Sequence, residues 1–495
     1  MTAKSAPRRA RTGTARERAA DILLRVESEN AFAAPALAAA LDRAPALAPQ
    51  DRALCTELVY GVLRTAPALD ARLAAYAAKP GSIATMDPYA RCVLRVAVYQ
   101  LLLLERIPPS AAVNAAVDTI NKDRSKGLSG FVNALLRKVA AERVERECAA
   151  RRIAFSIESV DASVRAELAA GLGSQSDAES VLRAMFSTRP STDLRVEATR
   201  TTRAELAALL RQERPDAEVK DGSLSPFALS VSGAGDLRAS ALYRERGLFS
   251  VQEEGAQAIA LATGARPGMR VFDACAGRGG KSAALASMMN GEGLLHAADA
   301  YPEKSARGQE ELARLGLLRP SLEYTAVGAD LLRGIGALKT CVPDGGYDLV
   351  LVDAPCSGLG TLARRPDILF RRALAKGPAA AAPVDDSDDA PTTERADAGP
   401  RAPIDELQRG ILRTCAPLVR PGGTLLYAVC TLTAREGVEM RDWFLRETSG
   451  TFEPMALEGE GAASVPERLR PALVTLRPDR DGTDGFVFWR VRRNP

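Results

Sequence analysis

Through the first third of the chain, apolar residues recur every three or four positions. "RAADILLRV", "DRALCTELVYGVLR" and "YARCVLRVAVYQLLLLE" each gather them on one helix face, as Leu58, Val59, Val62 and Leu63 do. Breaks at "APALAPQ", "KPGS" and "RIPPS" carry the prolines that stop a helix. The pattern predicts an all-helical domain over 17–145, a bundle with short connections. Over 146–247 the rhythm changes. "SVRAELAAGLG" and "DAESVLRAMF" read as helices, then "TDLRVEAT" and "FALSVSG" as strands around the helix "TRAELAALLRQ". That is a small helical-then-α/β linker module, with no catalytic residue of its own. From 248 to 495, strand-like runs alternate with helices. The runs are "MRVFDACA", "GLLHAADA", "SLEYTAVGAD", "YDLVLVDAP" and "GTLLYAVC"; "KSAALASMM" and "EKSARGQEELARLG" lie between them. This βαβ rhythm predicts a Rossmann-like, doubly wound and mainly parallel sheet. The expected fold class is therefore multidomain: all-α, then a small α/β module, then a larger α/β domain.

Composition narrows the partners. The 495 residues are 46% hydrophobic and 26% charged, enough for ordinary cores, and the net charge is only +4. Any polyanion site must then be a local patch. Residues 1–16 hold five Lys/Arg and read as a disordered basic arm, either a solubility tail or an RNA-contacting segment. Residues 376–403, with three Lys/Arg against six Asp/Glu among prolines and alanines, read as a disordered acidic insertion. No apolar run approaches the roughly 18 residues that span a bilayer. The arginine-rich start has no apolar core behind it, so no signal peptide is expected there. A cytoplasmic protein without membrane contact is expected. Eight cysteines form no CxxC pair and the chain has one histidine, which argues against zinc and against a disulfide framework.

The chemistry sits at strand ends. "FDACAGRGGKS" (272–282) puts Gly277, Gly279 and Gly280 between a strand and its helix, where backbone can approach a ligand. Nineteen residues past Gly280 the next strand ends at Asp299, placed to grip two ribose hydroxyls. "GGKS" mimics a phosphate loop, but Cys275 stands where the first glycine of G-x-x-x-x-G-K-[ST] must be, which disfavours an NTPase. A ribose-gripping cofactor remains, NAD or S-adenosylmethionine, and no hydride-transfer apparatus is visible.

Two cysteines close apolar runs: Cys356 in "DAPCSG" and Cys430 in "TLLYAVC". A cysteine hydrolase wants a histidine, and His296 lies inside a strand, where it packs. A thiolate that attacks C6 of a pyrimidine needs no Cys–His pair. The addition makes C5 electron-rich, C5 takes a methyl group, and loss of the C5 proton expels the thiolate. Hydrogen bonding at cytosine N3 assists, and Asp353 sits where it could supply it.

"FSVQEEGAQ", "DACAGRGGKS", "AADAYPEK", "LVLVDAPCSGLGT…RRPDI", "LLYAVCTLTAREG" and "DGTDGFVFWRV", in this order, resemble the RNA cytosine-5 methyltransferases of the NOL/NOP/Sun family. "DRALCTELVYGVLR" and "FVNALLRKV" are similar to the NusB-type RNA-binding domain of its RsmB/Sun-type members, which act on 16S rRNA. The likeness runs from about residue 17 to 493. It implies Cys430 as nucleophile and Cys356 as the thiol that aids release of methylated RNA. It implies an S-adenosylmethionine site of Cys275, Ala276, Gly277, Arg278, Gly279, Gly280, Lys281, Asp299, Asp330 and Asp353, with Asp353 also beside the target base. It further implies a monomer, without metal, acting on an unstructured or flipped-out cytidine of rRNA. The contrasting class, an RNA-binding assembly protein with a vestigial cofactor fold, is disfavoured by the retention of both thiols and the site acids.

The chain departs from the family in three places. Arg278 stands where the family usually has proline, Glu197 where Arg-Val-Asn is usual, and 376–403 is inserted. "ARRPDILFRR" (363–372) arrays Arg364, Arg365, Arg371 and Arg372 around Phe370, a candidate phosphate-gripping edge.

Overall fold

A computed structural model describes residues 13–77, 81–83, 85–123, 126–141, 157–187, 190–374 and 403–495. The chain divides into two units. Most of the expected basic arm, the 145/146 boundary and the acidic insertion up to 402 lie outside the described residues.

Unit 1 runs to Ser159 and takes in Leu369–Leu374. It is helical, as the periodicity predicts: Ala15–Glu29, Ala33–Asp42, Pro49–Tyr76, Pro88–Leu103, Pro109–Asp123 and Lys126–Ala141. The first helix begins at Ala15, inside the segment expected to be a disordered arm. A capping box explains it: Thr14 accepts from the Glu17 N–H, and the Glu17 carboxylate accepts from the Thr14 N–H. Pro88–Leu103 is buried on nearly every face from Tyr89 to Leu102, so it forms the centre of the bundle. Its Arg95 reaches Asp70 at 2.6 Å and Glu27 at 2.8 Å, which compensates a charge drawn into the core.

Unit 2 takes in Val160–Ile368 and the described residues from 403 on. Helices Ala162–Leu172 and Gln175–Ser187 lead into a four-stranded antiparallel sheet: β1 (Thr192–Val196), β2 (Glu218–Asp221), β3 (Ala228–Ser232) and β4 (Phe249–Val251), in order β2-β3-β1-β4. A boundary at 247/248 cuts this sheet, because β4 pairs with β1 from Leu194↔Val251 to Val196↔Phe249. Three residues are too few to show a strand period, which is why β4 escapes the sequence pattern.

The large sheet contains β5 (Arg270–Asp273), β6 (Gly293–Asp299), β7 (Leu322–Gly328), β8 (Tyr347–Asp353), β9 (Val419–Val429), β10 (Phe452–Pro454), β11 (Leu473–Leu476) and β12 (Phe486–Arg493). Its order is β10-β12-β9-β8-β5-β6-β7, with β11 also on β12. Strands β9, β8, β5, β6 and β7 are parallel; β12 runs antiparallel to β9. The chain steps from β5 through β6 to β7, then crosses to β8 on the other side of β5. That reversal opens a crevice at the carboxyl ends of β5 and β8, where such sheets bind ligands. Leu349–Val352 of β8 are fully buried, as a strand covered on both faces must be. No helix among the described residues is long and apolar enough to cross a membrane.

Candidate active site

The carboxyl ends of the parallel strands carry the candidate residues. Past β5, the glycine loop turns on Gly277 and Gly279, with φ of 54° and 79°. A Cβ at Gly279 would lie 2.5 Å from the Gly308 Cα, so two backbones touch there and no side chain fits. The helix Gly280–Met288 follows directly. At the β6 tip, the two Asp299 oxygens accept from the Gly277 N–H at 3.1 Å and the Tyr301 N–H at 2.9 Å. The Lys304 ammonium lies 3.7 Å from the same carboxylate, which is thus fixed by backbone and paired with a cation. Lys281, in the first turn of the helix, donates to Asp353 at the β8 tip at 2.5 Å. Below them Asp273 is fully buried and accepts from Ser282 at 2.6 Å, and burial pushes its carboxyl up to about 7. Cys275, Ala276, Arg278 and Gly280 are half-buried around the same loop. Asp330 lies farther out, past the edge strand β7. Its side chain is 44% exposed, caps the Leu332 N–H and pairs with Arg333.

The two thiols meet. Cys356 follows β8 and Cys430 follows β9, and their sulfurs are 3.0 Å apart. Cys356 is 2% exposed, whereas Cys430 is half-buried and the more accessible of the pair. Burial, then the Cys430 sulfur and the Glu436 charge, push the Cys356 thiol well above its ordinary value. The backbone pins both loops. The Gly360 N–H donates to the Cys430 carbonyl at 3.0 Å, and the Gly485 N–H donates to the Gly360 carbonyl at 2.8 Å. His296 is fully buried in β6, its Nδ1 2.7 Å from the Tyr347 hydroxyl, and it takes no part in the thiol pair.

A model of the family described as 16S rRNA methyltransferase RsmB/F matches residues 259–382 and 369–491, and a NusB family model matches 13–141. The probable ribosomal RNA small subunit methyltransferase B of Bacillus subtilis is 32% identical over 97% of this chain and 98% of its own length. The chain belongs to the RsmB/F family of 16S rRNA methyltransferases. It is an S-adenosylmethionine-dependent rRNA methyltransferase with an N-terminal NusB domain. The putative methyltransferase Rv1407 of Mycobacterium tuberculosis is 31% identical over the whole of both chains. The solved structure PH0851 shares the fold, with a TM-score of 0.70 and 20% identity over 98% of this chain and all of its own.

Within this RsmB/F-type chain, the arginine strip departs from the sequence expectation. Arg364 is taken up inside the protein: it donates to the Ser191 carbonyl at 2.6 Å and pairs with Asp193 at 2.7 Å and Asp484 at 3.2 Å. Arg371 lies 3.4 Å over the Phe32 ring and donates to the Asn30 side chain at 3.2 Å, while Phe370 packs on the helical core. Arg364 and Arg371 thus have intramolecular work, and the strip is not a uniform phosphate-gripping edge. Sequence reading also passed over two residues near the thiols. The Glu436 carboxylate accepts from the Ser357 N–H at 2.9 Å, and Gln408 bridges that carboxylate to the Pro355 carbonyl at 3.0 Å on each side. "LTAREG" contains Glu436, but nothing local marks an acid that works on a loop 79 positions away.

Proposed function

We propose that this enzyme methylates C5 of a cytidine in 16S rRNA through a covalent bond between the Cys430 sulfur and C6. One observation carries the reading: two sulfurs 3.0 Å apart at the tips of neighbouring parallel strands, one accessible and one buried, beside the glycine loop. Cys430 is the nucleophile, and its attack on C6 pushes electrons to C5. Asp353, carrying the Lys281 ammonium, faces the N3 edge, where hydrogen bonding draws electrons from C6 and lowers the cost of addition. Residues 275–281 with Asp299, Asp330 and Asp353 hold S-adenosylmethionine, which supplies an electrophilic methyl on sulfonium. The C5 proton then leaves to solvent, the C5–C6 double bond re-forms, and the S–C6 electron pair returns to Cys430. Cys356 aids that departure. The cytidine reaches the site unstacked, since neither strand tip can enter a duplex. The NusB domain holds neighbouring rRNA, and the enzyme works as a cytoplasmic monomer.

Two variants test this. Cys430→Ala should abolish methylation and trap nothing. Cys356→Ala should still transfer methyl but release slowly, so a denaturation-resistant protein–RNA band accumulates on a gel with labelled RNA. The reverse pattern would exchange the two roles, and bisulfite mapping that finds no protected cytidine would move the methyl off C5.

A further inference from the structure

Two thiols this close pose a problem of selection, because one must become thiolate while the other must not. We propose that Glu436 is the positioning residue that divides their labour: it clamps the Cys356 segment onto the Cys430 segment, and its buried negative charge keeps Cys356 a hydrogen-bond donor to the Cys430 sulfur. This rests on the assignment of Cys430 as nucleophile.

The clamp is built from both sides. Glu436 is 1% exposed. One oxygen takes the Ser357 N–H and the Gln408 side-chain amide, which itself holds the Pro355 carbonyl, so both neighbours of Cys356 are tied to one carboxylate. The other oxygen takes the Thr433 hydroxyl at 3.1 Å, three residues after Cys430. The Tyr427 hydroxyl, at the base of the same loop, donates to the Glu436 carbonyl at 3.1 Å. Ser357 and Thr431 close the seam with a hydroxyl pair at 3.0 Å. Among the described residues every donor to the carboxylate is neutral, so its charge is not cancelled by them and acts on the sulfurs beside it. Cys430 and Glu436 both oppose ionisation of the Cys356 thiol, against the Gly358 N–H, which favours it.

The consequence is mechanical. As the S–C6 bond breaks, its electron pair settles on Cys430, which leaves as the thiolate it entered as. The Cys356 S–H donates to that sulfur and keeps its own proton, so the departing charge is stabilised without net proton transfer. If Cys356 ionised, two like charges would sit on adjacent sulfurs and release would stall.

Glu436→Gln tests the charge while sparing the clamp. A Gln Oε1 can accept from Ser357 and Gln408, and its amide can donate to Thr433. In full-length enzyme, the trapped protein–RNA adduct is measured from about pH 6.5 to about 9.5, where an ordinary thiol ionises and wild-type Cys356, held higher, has only begun to. The variant should keep the low-pH level of wild type and reach several-fold more adduct on the alkaline limb, its rise beginning at lower pH than in wild type. Glu436→Asp should restore the wild-type limb. Gln408→Met cuts the tie to Pro355 and leaves the charge; it should slow turnover equally at all pH without moving the limb. An unmoved limb in Glu436→Gln, a pH-independent rise instead, or a moved limb in Gln408→Met overturns the proposal. If Cys356→Ala itself traps no adduct, the assignment of the two thiols fails rather than the role of Glu436.

Discussion

Unit 2 buries carboxylates in two clusters that differ in what surrounds them. Around Arg364, three acids from distant segments converge: Asp193 on β1, Asp484 before β12, and Glu253, which accepts from the Asp484 N–H at 2.8 Å. One guanidinium cannot neutralise three carboxylates. Burial pushes Asp484 up to about 7 and Glu253 upward as well, with Arg364 pulling against the shift in both. Around Glu436 a single acid is met by an amide, a hydroxyl and a backbone N–H, with no countercharge among the described residues. The first cluster is an electrostatic knot joining the small sheet to the large one. The second is a geometric clamp whose charge is left to act elsewhere. A buried acid near an active site can therefore serve cohesion or chemistry, and its partners tell which.

The comparison can be broken most directly at Arg364. Arg364→Met removes the ion-pair partner that Asp193 and Asp484 share and should destabilise unit 2 by about 3 kcal/mol, toward the low end for a broken buried ion pair because the side chain is 28% exposed. Urea unfolding checks this, and a loss below about 1 kcal/mol would mean that solvent, not the arginine, satisfies the cluster.

Asp484→Asn sharpens the same point through pH. The folded pKa of Asp484 is raised from 3.8 to about 7. The native state therefore holds the proton more tightly than the unfolded chain does. That contribution is fully present below about pH 4 and is lost as pH rises to about 7. Relative to wild type, the Asn variant should gain melting temperature from about pH 4 to about pH 7, the span over which that contribution is lost. A constant difference would show that Asp484 is ionised throughout.

The smallest effect is expected from Glu436→Gln. Each hydrogen bond survives the swap, so stability should change by less than about 1 kcal/mol, even where the adduct profile moves. A loss as large as that of Arg364→Met would erase the distinction between knot and clamp.

How much of this could be read beforehand follows the range of each interaction. The βαβ rhythm placed β5 to β9 because a buried parallel strand is a local apolar run, and glycines and acids at strand ends are visible one segment at a time. The tips of β5, β6, β8 and β9 then come together by topology alone. The Glu436 clamp joins positions 28 and 79 apart, and no local pattern records that. The arginine strip misled for the same reason: sequence displays the charges of Arg364 and Arg371 but not Asp193, Asp484 or Phe32, which occupy them.

The antiparallel strand β12 has a further consequence, for the enzyme's own synthesis. The loop that carries Cys430 is held through Gly360 to Gly485, and a Cβ at Gly360 would stand 1.9 Å from the Gly485 carbonyl oxygen, so this contact is main chain against main chain. During translation Cys356 and Cys430 are both made before Gly485 and β12. At about 5–20 residues per second, the nascent polypeptide carries both thiols for several seconds before the strand that fixes their loops exists. The enzyme that modifies ribosomal RNA thus acquires its fully braced reactive centre only when its own ribosome has passed Gly485.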